Sequence, residues 1–176
     1  GNFDLSYLYE MPNCRIPVKT CVIKSYKRDA AYAWVKEKIT KESAQVFIIC
    51  PFIEESETQT TVKAAKKEFE RLRQDIFKNQ RMGLLHGKMK AKEKEKVMET
   101  FRNQKLDILV ATPVVEVGID IPGATIIMIE GAERFGLAQL HQLRGRVGRS
   151  TIQSYCLLLT DSESSHALRR LKNMER

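Results

Sequence analysis

Apolar residues along this chain concentrate in six short runs, separated by longer stretches in which they recur at helical spacing. The runs cover residues 18–23, 46–50, 82–85, 106–110, 125–129 and 155–159, and their Val, Ile, Leu and Thr content predicts six β-strands. Between them, Ala31, Trp34, Val35 and Ile39 trace one helical stripe, and Val62, Ala65, Phe69, Leu72 and Ile76 trace another at steps of three and four. Val97, Met98 and Phe101 mark a third, Leu137, Leu140 and Leu143 a fourth, and Leu168, Leu171 and Met174 a last one. Strands that are apolar throughout, rather than alternating, need cover on both faces, which a parallel sheet between helices provides. The expected architecture is a single three-layer α/β domain with a mainly parallel sheet. No internal repeat or low-complexity segment interrupts it.

Composition narrows the partners. The 176 residues suffice for one domain with a full core, and nine glycines and five prolines are too few for a disordered chain. Thirty Lys and Arg against 22 Asp and Glu leave a net charge of +8, which favours a polyanion, nucleic acid before membrane. Cys14, Cys21, Cys50 and Cys156 show no CxxC or His-paired spacing, so no metal site is expected. All four read as reduced thiols of a cytosolic protein. No apolar run is long enough to span a bilayer, and no signal-peptide pattern opens the chain.

Open α/β sheets bind ligands beyond the carboxyl ends of their strands, and three predicted strands are followed there by suggestive residues. The second leads into Pro51 and Phe52, the third into His86-Gly87-Lys88, and the fourth into Thr112 and a segment carrying Glu116, Gly118, Asp120 and Pro122. Thr112 offers a hydroxyl near amides at the start of a short helix, a cradle for a backbone phosphate. Gly118 permits a tight turn. Asp120 suits either ribose hydroxyls or an arginine, and equally suits a plain turn or capping role. His86 likewise fits two readings, a phosphate donor or a satisfied structural residue. After it, seven basic residues between Lys88 and Lys105 outnumber three glutamates. That surplus fits a solvated helix face and, collectively, sequence-independent phosphate contacts.

The run Gln142-Leu-Arg144-Gly145-Arg146-Val-Gly148-Arg149 is the most specific signal. On a helix, residues three apart share a face, so Arg146 and Arg149 would point together and Arg144 away. A guanidinium fork matches phosphate oxygens, and two in parallel neutralise charge on a transferring phosphoryl group. Taken in isolation, the string also fits a basic surface turn.

Together these residues resemble the second motor domain of superfamily 2 helicases and translocases. Residues 111–122 are similar to their motif V, and 142–149 match motif VI in its Gln-x-x-Gly-Arg-x-x-Arg order. Ile53-Glu-Glu-Ser56, Leu85-His-Gly-Lys-Met89, Glu116-Val-Gly-Ile-Asp-Ile-Pro122 and Glu133-Arg-Phe-Gly-Leu-Ala-Gln-Leu-His-Gln-Leu-Arg-Gly-Arg-Val-Gly-Arg149 look like the RecG family of bacterial branched-DNA helicases. The resemblance implies a RecA-like domain over residues 12–176, with 1–11 as an extension or linker. It implies that Arg146 and Arg149 approach the γ-phosphate of ATP, with Arg149 favoured as the arginine finger. Gln142 would link that site to interdomain contacts, and Gly118 and Asp120 would line the nucleotide. Thr112, His86, Gly87 and Lys88 would touch the DNA backbone, with Pro51 and Phe52 less favoured.

The departures are equally informative. No Gly-x-x-x-x-Gly-Lys-Ser/Thr loop occurs, and no Asp-Glu pair follows a strand in a magnesium-binding setting. ATP and Mg²⁺ are therefore expected to be held mainly by an N-terminal motor domain, with a wedge domain beyond it, and the chain to be an inactive fragment of a larger cytoplasmic enzyme. The similar motor of the transcription-repair coupling factor is disfavoured by Glu116-Val117 and His86-Gly87. A scaffold that kept the fold and lost the motor, and an RNA-directed helicase, stay open at this point.

Overall fold

The computed structural model describes residues 17–51, 58–113, 124–148 and 151–175. Six strands form one sheet: β1 Lys19–Lys24, β2 Gln45–Ile49, β3 Met82–Leu85, β4 Ile108–Ala111, β5 Ala124–Ile129 and β6 Tyr155–Thr160. Their order is β1-β6-β5-β2-β4-β3, and every neighbouring pair is parallel. Burial follows position in that order. The interior strands β2, β4 and β5 are buried at every residue, while the edge strands β1 and β3 are only partly covered. This is the physical basis of the apolar runs.

The helices are α1 Arg28–Glu42, α2 Gln59–Arg71, α3 Ala91–Arg102, α4 Leu137–Arg144 and α5 Ser165–Lys172. Tyr32, Val35 and Ile39 of α1 pack with Leu72 and Phe77 on one face of the sheet, against Val46, Ile48, Val110, Ile126 and Leu157. Met98 and Phe101 of α3, Leu140 and Leu143 of α4, and Leu171 of α5 cover the other, against Phe47, Ile49, Leu109, Ile127 and Leu158. The expected three layers are present.

Two boundaries depart from the sequence reading. The stripe ending at Ile76 is not one helix, because α2 stops at Arg71 and widens into a π-type turn over Leu72–Ile76, where the Phe77 N–H donates to the Leu72 carbonyl at 2.7 Å. That turn lets Leu72 and Phe77, five residues apart, both be buried. The run beginning at Leu106 enters the sheet only at Ile108. Gln45 Nε2 donates to the Leu106 carbonyl at 2.9 Å, and the Asp107 side chain takes the Arg81 amide and guanidinium while its backbone bonds to Val46 and Arg81.

Candidate functional site

The register of the sheet decides which loops meet. β3, β4 and β2 are consecutive, so His86, Thr112 and Pro51 follow three neighbouring carboxyl ends. Backbone bonds join them: the Thr112 N–H donates to Leu85 at 3.2 Å, and the Cys50 N–H to Ala111 at 2.9 Å. The first residues of the three loops, Pro51, His86 and Thr112, thus lie along one rim. Thr112 is buried, Gly87 and Lys88 are exposed, and Pro51 is half-buried. Phe52, Gly118 and Asp120 lie outside the described residues, as does Arg149.

His86 helps organise its own turn. Its Nδ1 accepts the Lys88 amide at 3.2 Å, its carbonyl accepts the Met89 amide at 3.3 Å, and the residue is buried. An accepting Nδ1 leaves the proton of a neutral ring on Nε2. The ring thereby holds Gly87 and Lys88 out toward solvent.

Pro51 is held from the side. Gly131, at φ +57°, lies so close that a Cβ there would sit 2.7 Å from Pro51 Cβ, and Arg134 Nη1 reaches the Pro51 carbonyl at 3.5 Å. Beyond it, a charge network that sequence reasoning missed closes the rim. Arg28 Nη1 donates to Glu130 Oε2 at 2.5 Å and Nη2 to Asp161 at 3.0 Å, while Tyr32 Oη donates to Glu130 Oε1 at 2.6 Å. Burial, then the Glu130 carboxylate, push the Tyr32 hydroxyl up to about 12. The Arg28 guanidinium, although burial opposes its charge, is held above its ordinary range by Glu130 and Tyr32. The signal in the sequence was a glutamate ending a fully apolar strand, where a buried carboxylate requires a cation.

The arginine block lies at the opposite edge. Gln142 is an exposed residue of α4, and the helix stops at Arg144. The expectation of a helix running on through this motif meets a helix end at Arg144, so Arg146 lies in a turn and not on a helix. The Arg146 and Val147 amides close tight turns onto Leu143 and Arg144, and Gly148 takes φ +85°, a left-handed conformation that ends any helical register. Its N–H donates to Ser154 Oγ at 3.1 Å, and a Cβ there would meet Val18 Cγ2 at 2.4 Å. Lys19 bonds to the Ser154 carbonyl, so this turn sits at the amino ends of β1 and β6. Arg144 is turned into the fold. Its Nη1 donates to the Met174 carbonyl at 2.7 Å and to Thr20 Oγ1 at 3.2 Å, an anchor rather than a ligand contact. Arg146 is half-buried.

The donor set suits phosphate oxygens. It does not suit a cation, since among the described residues no three His, Cys, Asp or Glu side chains converge. Cys21, Cys50 and Cys156 are free thiols, the latter two pushed up to about 12 by burial. Among the described residues no helix is long and apolar enough to cross a membrane.

Residues 30–151 match the family described as the helicase conserved C-terminal domain. The chain is 48% identical to the ATP-dependent DNA helicase RecG of Synechocystis sp., over 99% of this chain and 21% of that protein. A structure of RecG bound to a three-way DNA junction matches with a TM-score of 0.75 at 39% identity, over 94% of this chain and 21% of that one. Domain 2 of the DEAD-box helicase Mss116p, bound to an RNA duplex, matches with a TM-score of 0.67 over 89% of this chain and 59% of that one. At 21% identity, that likeness speaks to the fold alone. The chain thus spans about a fifth of the length of the curated relatives it matches.

Proposed function

Because this chain belongs to the helicase conserved C-terminal domain family, we propose that it is the second RecA-like motor domain of a RecG-type, ATP-dependent DNA helicase that remodels branched DNA in repair and recombination. The observation that carries this reading is sequence identity running through 99% of the chain, across both the rim and the arginine turn. The geometry supports it by separating two phosphate-seeking groups onto opposite edges of one sheet. On this reading Gly87, Lys88 and Thr112 contact the DNA backbone, with His86 shaping the turn and Pro51 and Phe52 flanking it.

The other edge serves the nucleotide. ATP supplies the phosphoryl group, bound with Mg²⁺ mainly by a partner motor domain that carries the phosphate loop this chain lacks. Arg149 and Arg146 neutralise charge on the γ-phosphate as its bond to the β-phosphate breaks. Gly118 and Asp120 line the nucleotide, and Gln142, exposed on α4, connects it to the domain interface. The ends of β4 and β5, Ala111 and Ala124, lie at opposite edges of the sheet, so the connection carrying Gly118 and Asp120 has one foot at each. Alternating closure and reopening of two domains around ATP then changes the grip at the rim. A cytoplasmic location, alongside DNA, is part of the proposal.

In the whole protein as expressed from its gene, Arg149→Ala is expected to lower DNA-stimulated ATP hydrolysis at least about 10³-fold, with DNA affinity held within about twofold. Normal turnover in that variant would overturn the arginine-finger assignment.

A further inference from the structure

The rim contains a second basic feature, at the end of the sheet farthest from His86. Lys24 closes β1, and together with Ser165, Leu168, Arg169, Lys172 and Asn173 it lines a groove of about 460 Å³ beside α5. Ser165, Arg169 and Lys172 follow one another at steps of four and three, so they share a helical face. Lys24, Arg169 and Lys172 are exposed, and among the described residues none of the three has a carboxylate partner. Glu163 and Glu175 flank α5 in sequence, but neither lines the groove. The remaining arginine of the helix, Arg170, is committed inward, donating to the Phe135 and Glu133 carbonyls at 2.7 and 2.6 Å.

A second observation points to the same ligand. Tyr26, two residues after Lys24 in a short 3-10 turn that also holds Lys27, is 77% exposed, the most exposed large hydrophobic residue among the described residues. A bare phenol ring bracketed by lysines is the pairing used to hold unpaired bases, stacked on the ring while cations take the phosphates. An apolar protein partner would be poorly matched to three uncompensated charges around one leucine.

We propose that this groove and Tyr26 bind a single-stranded segment of DNA, the backbone phosphates against Lys24, Arg169 and Lys172 and a base against Tyr26. The proposal rests on the functional reading above and adds a second contact to it. Five strand spacings separate β1 from β3, about 24 Å, so the two contacts lie on one rim but touch different nucleotides. Between them, Arg28 pairs with both Glu130 and Asp161 and so offsets one of their two negative charges.

The test uses the whole protein, with fluorescence anisotropy on an oligothymidine strand and on a blunt duplex over a salt series. The triple variant Lys24→Gln, Arg169→Gln, Lys172→Gln should weaken single-strand binding at least about tenfold and lower its logarithmic salt slope by about 2, at roughly 0.7 per phosphate contact. Tyr26→Ala should weaken single-strand binding about fivefold or more, with blunt-duplex affinity within twofold. Unchanged single-strand affinity in the triple variant overturns the proposal, as does equal loss on both substrates in Tyr26→Ala. If the unaltered protein binds neither substrate, the helicase reading itself fails. If it binds duplex and hydrolyses ATP while the groove variants match it on single strands, only this inference fails.

Discussion

The two edges of the sheet are built in different ways. At the carboxyl rim, His86, Thr112 and Pro51 are brought together by strand register, and ladder hydrogen bonds between β3, β4 and β2 fix their spacing. At the amino edge, the arginine turn depends on a helix ending at Arg144, the anchoring of that arginine on Met174 and Thr20, and a left-handed Gly148 pressed against Val18. A rim held by many weak, repeated bonds tolerates local change. A turn held by one glycine and one arginine does not.

The sharpest way to break the comparison is Gly148→Val, which adds a Cβ at an unfavourable φ and into Val18. It is expected to cost about 3 kcal/mol in urea unfolding, combining left-handed strain with overpacking. Loss below about 1 kcal/mol would show that the arginine turn is no more fragile than the rim. Next in size, Glu130→Ala strips Arg28 and Tyr32 of a buried partner. Since Arg28 is partly solvated, about 2 kcal/mol is expected in the same measurement. An effect as large as that of Gly148→Val would mean the rim has its own single point of failure.

A comparable effect should come from pH. The raised Tyr32 hydroxyl means that the fold favours its neutral form, so its contribution is whole below pH 10 and is lost as pH climbs toward about 12. Unfolding curves across that window should show a decline, on the order of 2 kcal/mol, that Tyr32→Phe lacks. Identical slopes in the two proteins would assign the alkaline loss elsewhere. The smallest effect is expected from Lys88→Gln, a side chain already in solvent: unchanged stability, DNA affinity only a few-fold weaker, and a salt slope reduced by about 1. A stability loss there would show that Lys88 helps hold its turn.

The fold was legible because burial leaves its mark on single residues. β2, β4 and β5 are covered on both faces and therefore read as apolar runs, and the helices show their inward stripes. The π-type turn after Arg71 was not legible, because Leu72 and Ile76 satisfy ordinary helical spacing and only the Phe77 amide reveals the wider ring. The rim was legible as a list of loops, although their adjacency depends on strand order. Arg28, Tyr32, Glu130 and Asp161 were missed because partners a hundred residues apart leave no local spacing to find. The arginine motif was read as a helix, whereas α4 ends at Arg144 and Gly148 marks the break only once its φ is known.

One consequence of the amino edge concerns force. The Pro17 carbonyl accepts Gln153 Nε2 at 2.8 Å, and the next residue, Val18, is the one packed against Gly148. The incoming polypeptide is thereby stapled to the turn that presents Arg146. A load applied at Pro17 would therefore reach the arginine turn through Val18 and Gln153.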